Sequence, residues 1–424
     1  MRVLIIGAGT GGLCLAHGLK KAGVDVALFE RDRTPRSMLI GYRVGISPDG
    51  SKALHSCLPE EVFAEFVRTT ARPPKLINMR TEKYRELLVA ELPEQSDESR
   101  SEKSVSRIAM RTALLTGLED VVRFDKAFTR FSRNDDGSVT AFFADGTSET
   151  GDVLVGADGA QSKLRKQYLP HARISDTGIT SIAGKLPLTP ENLALLPPQA
   201  ERAVTLLHGP RGSFVILHVM RFDTAGVEDD YIMWGYAAAH DKFPELDGLD
   251  QEQLKQVVLG MTPKFHPNLR ELFRLADPRT VFRIKVRTSE PVRPWKPSNV
   301  TLIGDAVHLM TPGRGIGANT ALRDAELLTR KLTEAHRGKD VVTAIGEYET
   351  EMVEYGFKAV LASREQMDGT GMLHRPVIGR VVLAMFRTVL RVTNAVPALK
   401  RRMMARDAAE RDHVSSAHEV VHAG

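Results

Sequence analysis

Three short stretches pair glycine with a carboxylate, a combination suited to phosphates and ribose hydroxyls. The first is Gly7-Ala8-Gly9-Thr10-Gly11-Gly12, with Glu30 further along. Gly7 lets the chain turn, Gly9 lets a pyrophosphate approach the backbone, and Gly12 permits close packing. A carboxylate about 20 residues beyond such glycines can take both hydroxyls of an adenosine ribose. Glu30 also disfavours a 2′-phosphate, so the stretch predicts FAD or NAD rather than NADP. The second stretch is Gly156-Ala157-Asp158-Gly159. The third is Gly304-Asp305-Ala306-Val307-His308, followed by a loop with Pro312, Gly313, Gly315 and Gly317. His208 and His218 are the candidates for a general base. Cys14 and Cys57 are the only cysteines, so neither a disulfide framework nor a metal cluster is expected.

Each stretch needs a strand before it and a helix after it. Arg2 to Ile6 is a short apolar strand, and Leu13 onward reads as a helix whose N-terminus presents free N–H groups to phosphate. A second strand, Val24 to Phe29, ends at Glu30. Asp152 to Gly156 and Asn299 to Ile303 read as strands, each closing on a glycine turn. Ser104-Val105-Ser106-Arg107 opens a helical pattern with Leu114, Leu115 and Leu118. Hairpins are predicted at Asp135-Asp136-Gly137 and Asp145-Gly146.

From about Ser175 to Val286 the pattern changes to strand-like runs at Ser213 to Val219 and Tyr231 to Ala238. Helices follow near Asp250 to Gly260 and Pro267 to Arg274. Asp250 with Gln253 reads as a capping box. Within a strand, Trp234 and Tyr236 share one side, as do Phe214, Ile216 and His218. If those faces meet the bound dinucleotide cofactor they line an aromatic pocket; otherwise they are core between sheet and helices. Near the end, Ile378, Val382, Met385, Val389, Val392 and Val396 form a helical stripe, with Arg380, Arg387 and Arg391 off it. The expectation is an amphipathic helix packed across two domains, with a dimer contact or a membrane-surface helix as alternatives.

The fold class is therefore α/β: a Rossmann-like dinucleotide-binding domain with an inserted β-sheet substrate domain and a C-terminal helical segment. The expected domains are 1–75, 100–175 and 290–355 for the cofactor, 76–99 and 176–289 for substrate, and 356–424 for the C-terminal helices. The 424 residues are 42% hydrophobic with a net charge of only +5. That supports real cores, and the absence of a basic, aromatic-interleaved stripe argues against nucleic acid. The chain opens on a core strand and holds no apolar run of transmembrane length, so a cytoplasmic protein without a signal peptide is expected.

The three motifs in this order resemble the single-component FAD-dependent aromatic hydroxylases, typified by para-hydroxybenzoate hydroxylase. They are also similar to antibiotic-tailoring and tetracycline-degrading monooxygenases. The resemblance covers the chain from Met1 to about Leu332. It implies that Gly7, Gly9, Gly12 and Glu30 bind the ADP half of a non-covalent FAD, with Arg31 a further cofactor-binding residue. It assigns Arg107, in the pattern Val-Ser-Arg-x-x-x-Arg, to the cofactor, with Arg43 a weaker match. Asp158 and Gly159 would serve both FAD and the nicotinamide cofactor, and Asp305 would hold the ribityl chain. Pro312, Gly315, Gly317, Ala318 and Asn319 would border the isoalloxazine ring, where a helix N-terminus stabilises negative charge on reduced flavin. Arg314 departs from the small residue usual there. His308 reads as a structural hydrogen-bonding group.

The activity implied is hydroxylation of an aromatic or polyketide-like small molecule, with NAD(P)H as transient co-substrate, O2, and a flavin C4a-hydroperoxide. Two further readings stand beside it: an antibiotic-inactivating or ring-opening monooxygenase, and a non-catalytic binder built on the same fold. Either a monomer or a homodimer fits the sequence.

Overall fold

The computed structural model describes residues 1–34, 41–93, 97–369, 371–375 and 377–405. These form two compact units. The first comprises residues 1–70, 95–175 and 287–366; the second comprises 71–94, 176–286 and 367 onward. The domain boundary expected at residue 356 falls inside one continuous helix, Val341–Gln366. The part of the expected C-terminal segment from 406 to 424 lies outside the described residues.

The first unit is built on a parallel five-stranded sheet in the order Val300–Leu302, Val153–Gly156, Arg2–Ile6, Asp25–Phe29, Val122–Arg123. Its central strand is apolar after Arg2, with Val3, Leu4 and Ile5 fully buried, as a strand covered on both faces requires. Helix Thr10–Lys21 follows the first strand and lies close to helix Gly317–His336. A β-carbon on Gly18 would sit 2.5 Å from the Thr329 hydroxyl, so glycine permits this approach. The two predicted hairpins form an antiparallel sheet of Phe128–Arg133, Val139–Phe143 and Ser148–Gly151. The helix expected after Ser106 runs Arg107–Leu115, with the Ser106 hydroxyl accepting from the Ala109 N–H. Leu118 falls beyond it.

A buried acid in this unit gives a pH signature. Glu349 is 4% exposed, and its Oε1 accepts a hydrogen bond from the Thr301 hydroxyl at 2.9 Å while its buried Oε2 makes no hydrogen bond of ordinary geometry among the described residues. Burial pushes its pKa up to about 7, against smaller opposing effects of Thr301 and Trp295. Between the ordinary glutamate pKa and about 7 the folded chain holds a proton that the unfolded chain releases. Stability therefore falls as pH rises through that window, by up to about 3 kcal/mol. Glu349→Gln keeps the acceptor for Thr301 and removes the charge. Urea melts at pH 5 and pH 8 isolate this effect as a difference: the stability change from pH 5 to pH 8 should be less favourable in the native chain than in the variant by about 2–3 kcal/mol.

The second unit contains a seven-stranded sheet, ordered Phe282–Ser289, Ile174–Pro187, Tyr231–Ala239, Phe214–Met220, Ala203–His208, Leu76–Thr81, Glu86–Glu91. Helices Gln251–Met261 and Pro267–Leu275 contribute to the core on one face, and the predicted capping box of Asp250 and Gln253 is formed. The pocket expectation for Trp234 and Tyr236 is corrected here. Register places Trp234 opposite Leu217 and Tyr236 opposite Val215, and all four belong to that core. Trp234 is fully buried, 4.9 Å from Phe273 between ring centroids. Phe214, Ile216 and His218 alternate with Val215 and Leu217, so they lie on the opposite face. Phe214 and Ile216 are half-buried, and His218 is buried.

The C-terminal stripe is corrected as well. Helix Ile378–Ala395 turns Leu383 and Leu390 inward, and Leu390 and Phe386 pack with Leu87, Leu88 and Met79 of the second unit's own sheet. Ile378, Met385, Val389, Val392 and Val396, expected inside, are 39–64% exposed, while Val382 is half-buried. The helix carries apolar residues on two sides, and the leucine side makes the contact.

Candidate functional site

The three motif-bearing strands are neighbours in one parallel sheet, so their turns open along a single edge. In such sheets ligands bind outside the carboxyl ends of the strands. Backbone bonds continue across the turns: Gly7 N–H donates to the Phe29 carbonyl at 2.8 Å, Ala157 N–H to Ile6 at 2.8 Å and Ile303 N–H to Gly156 at 2.9 Å. Gly7 has φ +109°, and a β-carbon there would overlap the Ala157 carbonyl. A β-carbon on Gly12 would overlap the Gly7 carbonyl oxygen. At Gly9, by contrast, a β-carbon would meet nothing within 4 Å. Gly9 caps helix Thr10–Lys21, with no side-chain cap and no acidic residue in the first turn. Free N–H groups and the positive dipole end thus face open space.

Glu30 is fixed beside this turn. Its Oε2 accepts the Ala8 N–H at 2.7 Å and its Oε1 accepts the Asp32 N–H at 2.9 Å. A carboxylate retains further lone pairs for two ribose hydroxyls. Arg111 supports it: the guanidinium is 7% exposed, 3.6 Å from Glu30, and donates to Asp32 Oδ2 at 2.9 Å. Arg111 was not singled out from sequence, although it follows Arg107 by one helical turn and so shares its face. Arg31 is exposed.

The second and third motifs are tied together by Arg165, whose Nη1 donates to the Ala306 carbonyl at 2.9 Å. Asp158 Oδ2 accepts the Lys163 N–H at 2.9 Å, while its Oδ1 is buried without a hydrogen bond. Burial raises the Asp158 pKa, opposed by hydrogen bonds from Ser162 and nearby amides. Gly159 takes φ +71° beside it.

Asp305 and Arg107 influence each other electrostatically. Both side chains are directly accessible to solvent, yet surrounding protein dominates their titration. Burial pushes Asp305 up, with His308 and Arg107 pulling it down and Asp324 adding to the rise. Burial pushes Arg107 down, opposed by Asp305. A β-carbon on Gly317 would lie 3.9 Å from Asp305 Oδ1, so this carboxylate sits beside the start of helix Gly317–His336. That helix also lacks a side-chain cap and an acidic first turn. Pro312 and Gly315 before it are exposed, and Gly317 and Ala318 are partly so.

Two expected contacts have a supporting part. The Asn319 side chain is engaged by backbone: its Oδ1 accepts the Ser47 N–H at 2.8 Å and its Nδ2 donates to Gly45 at 2.9 Å and Gly315 at 3.2 Å. It therefore shapes the loop rather than reaching outward. Arg43 Nε donates to the Ser104 hydroxyl at 2.6 Å. Behind Asp305, Asp324 is fully buried and accepts from Gly304 N–H at 2.7 Å and the Tyr355 hydroxyl at 2.6 Å, and pairs with His308 Nε2 at 2.7 Å. Burial would lower the His308 pKa, but the Asp324 and Asp305 carboxylates outweigh it and raise it. His308 is thus structural, as expected. Asp324 and Tyr355 were not identified from sequence.

His208 does not suit the role of base. Its ring lies 5.4 Å from Phe214 and 4.9 Å from Phe386. Burial and the nearby Arg387 push its pKa down to about 4. It is neutral at working pH and a weak proton acceptor.

These residues fit FAD. A phosphate has an open, amide-lined cradle at Gly9, a ribose has Glu30, and Asp158 Oδ1 is a buried polar atom awaiting a partner. Asp305 and the uncapped helix start supply polar groups further along.

Residues 1–363 match the family model described as FAD binding domain. The chain is 36% identical over 394 residues to a dual O-methyltransferase/FAD-dependent monooxygenase, CTB3, of Cercospora beticola. That match covers 82% of this chain but only 44% of CTB3, so the chain spans less than half the length of that relative. It is 28% identical to the FAD-dependent monooxygenase thnD of Trichoderma harzianum, over 87% of this chain and 94% of thnD. Among solved structures, a chain from Photorhabdus luminescens subsp. laumondii, assigned as an FAD-containing monooxygenase, matches with TM-score 0.78 and 36% identity. It covers 87% of this chain and 98% of that one. With the glycine cradle, Glu30 and Asp305 aligned along one sheet edge, the chain belongs to the FAD-binding-domain family, in its para-hydroxybenzoate hydroxylase-like group, and FAD is its cofactor.

Proposed function

We propose that the chain is a monooxygenase that hydroxylates an aromatic or polyketide-like small molecule. The balanced reaction is substrate C–H + O2 + NAD(P)H + H⁺ → substrate C–OH + H2O + NAD(P)⁺. The observation that carries this reading is Asp305, accessible beside the uncapped start of helix Gly317–His336 and within electrostatic reach of Arg107. Bound FAD supplies the redox chemistry, taking two electrons from NAD(P)H and activating O2. The chain's residues do the rest. Glu30, the glycine turn and Asp158 bind the nucleotide half. Asp305 and Arg107 fix the reacting end. The amides of Gly317 and Ala318 stabilise negative charge near it.

Substrate binding falls to the second unit. Phe214, Ile216 and His218 share the sheet face turned away from its helical core, and His218 is the remaining candidate base for a phenol. A relative named FAD-dependent urate hydroxylase, from Klebsiella pneumoniae and 28% identical over 378 residues, supports a small conjugated substrate. A cytoplasmic setting, with its NAD(P)H supply, accords with this reading.

NAD(P)H must reach the ring transiently, since no second G-x-G-x-x-G is present in the sequence. Anaerobic flavin reduction should therefore be slow with NADH or NADPH alone and rise at least tenfold with the true substrate. A library of phenolic metabolites, read by loss of NAD(P)H absorbance, checks this. Fast reduction without any substrate would remove the gating claim.

A further inference from the structure

We propose that helix Ile378–Ala395 and the turn after it form a docking surface for anionic membrane lipid. The exposed side of this helix carries Ile378, Val381, Met385, Val389, Val392 and Val396, each 39–64% exposed. Successive members are three or four residues apart, so they make one narrow stripe. A contiguous apolar patch of this kind on a soluble surface marks an interaction site.

Charge selects the occupant. Between Gly369 and Ala405 the sequence has seven arginines and lysines and no aspartate or glutamate. Arg387 is committed inward, to Glu82 and the His208 carbonyl. Arg375, Arg380, Arg391, Arg401 and Arg402 are exposed. The acids that bond to this helix, Glu82 from the turn after strand Leu76–Thr81 and Glu86 from the strand that follows, are engaged with Arg387, Asn394 and Arg80. An apolar stripe bordered by cations is the pattern of a helix lying in a lipid interface. A second copy of this chain is a poorer partner, because a two-fold interface sets the same patch against itself and would oppose arginine to arginine.

The helix docks without spanning. No single described helix is long and apolar enough to cross a membrane, and the chain bends by 108° between Ile378–Ala395 and Pro397–Ala405. Leu390 and Phe386 also hold the inner side against Leu87 and Leu88. Only the outer stripe is free to enter the headgroup boundary. Arg401 and Arg402, after the bend, extend the cationic border.

The test is co-sedimentation of the full-length FAD-loaded protein with vesicles, at low and high salt. Vesicles of equal phosphatidylcholine and phosphatidylglycerol should bind at least tenfold more protein than phosphatidylcholine alone. Each surface cation contributes roughly fivefold in binding, so 0.5 M salt should release most of it. Met385→Glu/Val389→Glu, at exposed positions, should abolish binding while leaving FAD content and melting temperature unchanged. Arg401→Glu/Arg402→Glu should reduce it more than tenfold. No preference for the anionic vesicles, or none of this loss in the variants, overturns the proposal. So does a dimer in sedimentation velocity that Met385→Glu/Val389→Glu converts to monomer, which would assign the stripe to a second copy.

Discussion

Gly9→Ala will give a chain that folds normally and does not retain FAD, while Gly12→Ala will lose stability and FAD together. The difference follows from what each new methyl group meets. At Gly9 it meets no protein atom within 4 Å, and the backbone there, φ −80° and ψ −179°, suits alanine. The methyl group instead occupies the cradle that a pyrophosphate must enter. At Gly12 it overlaps the Gly7 carbonyl oxygen, and neither backbone segment can move without parting the first helix from its turn. Overpacking of that kind costs about 1–3 kcal/mol. FAD affinity should fall at least ~30-fold in both variants. Thermal melting of the flavin-free forms should separate them, with Gly9→Ala matching the native chain. Unimpaired FAD retention in Gly9→Ala would place the nucleotide elsewhere.

Asp305→Ala should damage turnover as much as FAD retention. Asp305 faces the start of helix Gly317–His336 and interacts electrostatically with Arg107 and His308. Removing it withdraws one polar contact and loosens the position of whatever it holds. A displacement of about 1 Å at a reacting centre can cost on the order of 100-fold in rate. Turnover measured at saturating FAD isolates that effect from occupancy. Glu30→Ala is the contrast, because a residue at the ribose end should weaken binding with little change in turnover once refilled. Normal affinity together with normal turnover in Asp305→Ala would take Asp305 out of the site.

The first strand–turn–helix–strand unit was legible because its signals are local. A glycine triplet between an apolar strand and a helix, followed by a strand ending in glutamate, specifies a turn geometry within thirty residues. The two later motifs repeat the same strand-to-glycine grammar, and all three strands prove to be neighbours. What sequence could not provide was register. Period-two alternation shows that Trp234 and Tyr236 share a face, and likewise Phe214 and Ile216. Only pairing tells that Trp234 stands opposite Leu217, which puts the two sets on opposite sides of the sheet. In helix Ile378–Ala395 both the leucine side and the valine side are apolar, and periodicity alone could not choose the inward one. Arg111, Asp324 and Tyr355 matter through partners far away in sequence: Glu30 and Asp32 for the first, Gly304 and His308 for the second, and Asp324 itself for Tyr355. No spacing rule marks such residues.

The central claim is oxygen transfer from O2 at a site organised by Asp305, Arg107 and the helix start at Gly317. It is tested most directly by turnover under ¹⁸O2 with the substrate that stimulates NAD(P)H oxidation, followed by mass spectrometry of the product. The account predicts one ¹⁸O atom per product molecule and none when the label is in water. Product labelled from H2¹⁸O alone, or NAD(P)H consumed with no oxygen entering the product, would contradict it.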